Sequence, residues 1–261
     1  MEVTERFCDL MARPEALVPL DEACLLIASH GDPSLDITRE LDRLDELASG
    51  CPAPTLDALV RHLFVDLGFR GNHRSYYDPR NSYLHHVVAS RRGIPISLSV
   101  VMICVGRRIG VPLAGVGMPG HFLVRDKVDP SVYVDPFAGG RLLDRRGCEQ
   151  AFHRVQGPEA CFDERFLEPV GTFAILARML ANLRAIFAAT GDHRSLVWVL
   201  RLRTAVPGVP VEERSELAAA LAATGDLRGA ALELEAVAAV LGGTVGDEYA
   251  RRAQRLRARL N

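Results

Sequence analysis

The pentapeptide AATGD occurs twice, at Ala188–Asp192 and at Ala222–Asp226, 34 positions apart. A fixed period of that length is what a repeated helix–turn–helix unit leaves in a sequence, because each unit buries its apolar face only against its neighbour. From Pro169 onward the chain is dominated by Ala, Leu, Arg and Glu at helical spacing. These two observations point to antiparallel helix pairs in the last third of the chain, the alternative being a generic helical bundle whose AATGD turns coincide.

The second copy has Ala230 where close helix approach needs a small residue; the first has Leu196, so the echo is partial. Pro207 fits a helix stop at the end of the first unit, and Trp198 is expected in the helical core. The period is that of tetratricopeptide-type repeats. Two copies are marginal alone and are expected to lean on the preceding domain.

The front of the chain reads differently. PLDEACLLIASHG, ITRELDRLDELAS and TLDALVRHLFVDLG form three helical stretches, with Gly31 and Gly68 as stops for the first and third. FRGNHRSYYDPRNSY is a turn-rich loop, and LHHVVASRRG is a short helix ending at Gly93. ISLSVVMICVGRRIG is apolar almost all round, which predicts a buried helix. VPLAGVGM, HFLVR and VYVDPF are short strands separated by Gly, Pro and Asp, as in a small antiparallel sheet. The predicted fold class is α+β, with a domain over residues 1–168 and a helical one over 169–261.

Composition excludes several functions. A formal net charge of -2 offers no electrostatic footprint for nucleic acid. The opening residues carry acids and no basic stretch before an apolar core, unlike a secretory signal. The apolar run around LSVVMICVG is far too short to span a bilayer. Cysteines stand at 8, 24, 51, 104, 148 and 161 without a C-x-x-C, and no His/Cys cluster has metal-ligand spacing. The expectation is a cytoplasmic protein with no cofactor, no metal, no nucleic-acid partner and no membrane. GVGMPG matches G-x-G-x-x-G formally, but the strand-like HFLVR follows it where a dinucleotide site needs a helix.

His121 opens one strand-like run and Asp135 closes the next. Taken singly, a histidine in a core wall and a carboxylate capping the turn before Pro136 explain them. Taken together on adjoining strands, they predict an imidazole–carboxylate hydrogen bond of about 2.7–3.2 Å, the base and orienter of a nucleophilic triad.

NSYLHHVVASRRGIPISLSVV, RRIGVPLAGVGMPGHFLVR and VDPFAGGRLL together resemble the transglutaminase-like core of SirB-type bacterial proteins. The resemblance runs from about Leu20 through the repeats and is densest between Asn81 and Leu143. It implies a papain/transglutaminase-like fold with a tetratricopeptide-like tail. In that superfamily a cysteine at a helix N-terminus attacks, a histidine is its base and an aspartate orients it. His121 and Asp135 match the last two.

This sequence departs at the first. GIPISLSVV contains Ser97 and Ser99 and no cysteine, so Ser97, Ser99 or Pro95 stands in its place. Cys104 lies two turns further, roughly 10 Å along the helix, in its body. Ser97 has two readings: an ordinary helix cap, or a nucleophile activated by the His–Asp pair. Asn81, Arg91, Ser99 and Tyr77 are the residues expected to line the cleft, Arg91 as a carboxylate clamp or a solvated helix end. Tyr76 and Tyr77 are either a loop lid or packing. The C-terminal DEYARRAQRLRARL reads as a solvated basic face.

The function expected is a non-catalytic, degenerate-site module that binds a protein or peptide segment. The alternative is a serine-dependent amidase, peptidase or acyltransferase using Ser97, His121 and Asp135. Neither partner identity nor oligomeric state is written in the sequence.

Overall fold

A computed structural model describes residues 3–260. The chain divides into two units, Arg13–Met179 and, together, Met1–Ala12 with Leu180–Asn261. The division falls inside a helix, α8 (Thr172–Thr190), rather than at 168/169, and the first helix belongs with the C-terminal unit.

In the Arg13–Met179 unit, helices α2 (Leu20–Gly31) and α3 (Ile37–Ser49) lie where the periodicity puts them, the Asp36 carboxylate capping α3 on the Arg39 amide. α4 (Leu56–Val60), capped by Thr55, continues as a wider π turn over Arg61–Asp66. α5 (Leu84–Ser90) stops earlier than Gly93. Arg91 takes a left-handed φ of 56°, and Arg92–Gly93 (β2) instead pairs in parallel with Arg70–Gly71 (β1). α6 (Pro95–Arg108) is buried almost throughout its first three turns, as its unbroken apolar text requires.

The main sheet has five strands in the order β6-β5-β4-β3-β7, all pairs antiparallel. β3 is Leu113–Val116, β4 Leu123–Asp126, β5 Tyr133–Asp135, β6 Arg141–Leu143 and β7 Pro169–Val170. Successive residues of β4, Leu123 and Val124, are both fully buried, so both faces of the sheet are covered. α7 (Arg145–Gln156) supplies Cys148, Ala151 and Phe152 to a core with Val116, Met118 and Leu123. Sequence reasoning passed over α7, although Asp144 is a regular N-cap, bonding the Gly147 amide at 2.7 Å, and the buried residues sit at i, i+3 and i+4.

The second unit is all helical. α9 (His193–Ala205), α10 (Glu213–Ala223), α11 (Leu227–Leu241) and α12 (Gly243–Ala258) pack in chain order, each on the next, and α1 (Val3–Met11) packs on α9. The two AATGD copies occupy equivalent turns: Gly191 and Gly225 have φ of 69° and 90°, and Asp192 and Asp226 cap α9 and α11. Positive φ at both turns is why glycine recurs there. Trp198 is half-buried, edge-on to Phe187 at 5.9 Å.

α8 is long and apolar enough, by length and composition, to cross a bilayer, a run the sequence reading overlooked. Its Ile175, Leu176, Met179, Leu180 and Leu183 are buried within the protein itself.

Candidate active site

His121 lies just before β4, at the end of a turn whose Gly120 needs φ of 71°. Asp135 closes β5, the next strand across, with Val124 opposite Val134 fixing the register. The pleat and this register bring the two side chains together: His121 Nε2 lies 2.9 Å from Asp135 Oδ2. Facing a carboxylate that only accepts, a neutral ring carries its proton on Nε2 and has Nδ1 as its acceptor. The other carboxylate oxygen, Oδ1, accepts the Ala138 amide at 3.1 Å. Asp135 therefore caps its turn and orients the imidazole at once; the two readings of this residue are the same arrangement.

The pair sits in the wall of a cleft of about 720 Å³. Phe137 forms the floor of an aromatic cluster, with His73 at 4.5 Å, Tyr76 edge-on at 6.0 Å and His121 edge-on at 6.2 Å. Gly71 allows Phe137 its place, since a Cβ there would stand 2.6 Å from the ring. Tyr77, Gly120, Arg154 and Val155 complete much of the rim.

Pro95 is the residue that the N-terminus of α6 presents to this cleft. It carries no nucleophilic atom, and it lacks the backbone N–H that could donate to an oxyanion. Ser97 is fully buried at the third helical position. Its hydroxyl accepts from the Ile94 amide at 3.1 Å and donates to the Ile94 carbonyl at 3.2 Å. It is the back-reaching half of a capping arrangement, with Ile94 rather than Ser97 as the cap residue. Gly93 makes room for it: a Cβ there would lie 2.6 Å from Ser97 Oγ. Ser99 donates to the Pro95 carbonyl at 2.8 Å. Both hydroxyls are thus engaged by the first turn of their own helix.

The thiols offer no substitute. Burial pushes Cys104 up to about 12 and holds Cys24 far above the ordinary thiol value. Cys148 feels the charge of Asp135, but burial first, then Asp144 and Asp135, raise it to about 12. Each is a protonated core thiol at neutral pH.

Of the other residues expected along the cleft, Tyr77 lines it. Asn81 stands behind it: its amide donates to the Ser75 and Tyr76 carbonyls at 2.6 and 3.0 Å and its carbonyl accepts from Asn72 at 2.9 Å. It fixes the loop that carries Tyr76, and with both of its N–H donors spent on that loop it has no donor left for a ligand. Arg91 points elsewhere, donating to the Leu67 carbonyl at 2.9 Å, because its left-handed backbone turns it away.

Arg178, on α8, was missed. Its guanidinium donates to the carbonyls of Met118 and His121 at 2.7 and 2.8 Å and lies 5.5 Å from the centre of the Phe122 ring. Burial lowers its pKa, partly offset by Tyr76. No local pattern could have revealed a contact made across 57 residues.

A helix N-terminus, a histidine and an aspartate on adjoining antiparallel strands are gathered at one cleft, an arrangement consistent with a transglutaminase-like core. The sequence profile of the transglutaminase-like superfamily matches residues 35–181, and the chain belongs to that superfamily. Among its relatives, a UPF0162 protein of Xylella fastidiosa strain Temecula1 is 43% identical over 186 residues, 66% of each chain. Another, from strain 9a5c, is 41% identical over 207 residues, 74% of each chain. F-box only protein 21 of Mus musculus is 40% identical over 200 residues, which are 72% of this chain but 30% of that protein. No solved structure matches.

Proposed function

We propose that this protein is a SirB-type member of the superfamily whose cleft binds a protein or peptide segment without turning it over. The observation that carries the reading is Pro95 at the cleft end of α6, beside an intact His121–Asp135 pair. A base with an orienter but no nucleophile can hold a ligand's N–H and cannot form a covalent intermediate. The aromatic lining supports a binding role, since flat rings give apolar contact with little rotamer entropy to lose. The same sequence stretch forming a minor part of a longer relative suits an interaction module. The helical tail, with its 34-residue echo, is read as a tetratricopeptide-like second binding surface. Six free cysteines suit a reducing, cytoplasmic setting.

The serine-enzyme alternative requires the Ser97 hydroxyl to break both bonds to Ile94 and reach the cleft. Treatment with a fluorophosphonate probe separates the two. The expected result is no labelling of the native protein; labelling at Ser97 that disappears in His121→Ala would establish the enzyme instead.

A further inference from the structure

We propose that the cleft takes an extended peptide in which a large apolar or aromatic side chain neighbours an acidic one. The apolar group packs on Phe137 and Tyr76, and the carboxylate meets Arg154. This names the ligand chemistry of the binding-module reading above and rests on it.

Three observations define that chemistry. The first is the aromatic cluster around Phe137, an apolar surface inside a cleft whose volume suits a few residues. The second is charge. Among the described residues the one carboxylate lining the cleft, Asp135, is 3% exposed and has both oxygens engaged, by His121 and by the Ala138 amide. Arg154, exposed on the last turn of α7, lines the same cleft and has no ion-pair partner among the described residues. The cleft therefore presents a free cation without a competing anion, which favours an acidic ligand. The third is His121, whose Nδ1 in the neutral ring accepts a backbone N–H and so suits a peptide rather than an apolar acid alone.

The test uses the full-length protein and a display library of random heptapeptides flanked by Gly-Ser. Selection is expected to enrich an aromatic or large apolar residue within one position of Asp or Glu. A synthetic consensus peptide, followed by fluorescence anisotropy, should lose about tenfold in affinity to Arg154→Gln, the loss of one charge-assisted contact. Arg154→Glu should select Lys or Arg in place of the acid. Arg154 is exposed, so these variants keep the fold. Val155→Trp, at a half-exposed rim position, should fill the cleft and abolish binding. Peptides that Val155→Trp blocks but that bind wild type and Arg154→Gln equally would overturn the ligand class and leave the binding module standing. If no selected peptide is sensitive to Val155→Trp, both readings fall.

Discussion

Proline and serine two positions apart at the start of α6 have opposite fates. Pro95 faces the cleft, and Ser97 turns into its own helix. If only the nucleophile is missing, restoring it should restore reactivity. Pro95→Cys would place a thiol at a helix N-terminus near His121, where dipole and imidazole both favour thiolate. We expect iodoacetamide to alkylate that cysteine roughly tenfold faster at pH 7 than in Pro95→Cys/His121→Ala, a thiol of ordinary acidity being mostly protonated there. Equal rates, with the modified residue mapped by mass spectrometry, would show that His121 does not serve position 95. His121 and Asp135 were legible because each punctuates a strand-like run. The choice of Pro95 over Ser97 was not, because a one-residue rotation of a helix is 100° and only packing sets it.

Between elements, a buried charge cluster of the first unit joins α2 to α6. Asp21, buried, accepts from Arg107 at 2.6 Å and from Arg108 at 2.7 Å, and Arg108 reaches Asp45 of α3 at 2.5 Å. Burial alone would raise the Asp21 carboxyl; the Arg108 and Arg107 hydrogen bonds and charges more than offset it and hold it below the usual range. A depressed folded pKa gives stability that is fully present above the unfolded value of about 3.9 and is lost as pH falls through the folded one. Asp21→Asn should cost about 2 kcal/mol at pH 7, the loss of charge-assisted hydrogen bonds to Arg108, which keeps Asp45, and to the half-exposed Arg107. Urea melts at pH 7 and pH 3 should differ less in the variant than in wild type. An unchanged pH dependence would assign the acid sensitivity to other carboxylates. The helices themselves were legible from period and caps, including Asp36 and Thr55. The early stop of α5 was not: Gly93 looked like the terminator, but the β1–β2 pairing claims it.

For the whole molecule, the boundary matters most. A break at Pro169 follows the change in composition, yet the first unit runs on to Met179. Those residues pair β7 with β3 and carry Arg178 to the backbone of the His121 turn. A fragment of residues 13–179 should melt cooperatively by circular dichroism. A fragment of residues 13–168 should not, and should bind a hydrophobic dye, because β3 loses its pairing with β7 and Phe122 loses the Arg178 side chain that lies over it. Cooperative melting of the shorter fragment would make α8 dispensable to the site. The chain's own text determined the helix pairs of the tail, the buried α6, the antiparallel strands and the meeting of His121 with Asp135. Each of these follows from local periodicity, from turn residues, or from a pairing of strands close in sequence. Only the tertiary structure decided which residue α6 turns to the cleft, that Arg178 braces the histidine, and that Arg154 stands at the rim with no ion-pair partner among the described residues. Those are contacts between distant segments, fixed by how helices and sheet pack, and no spacing along the chain encodes them.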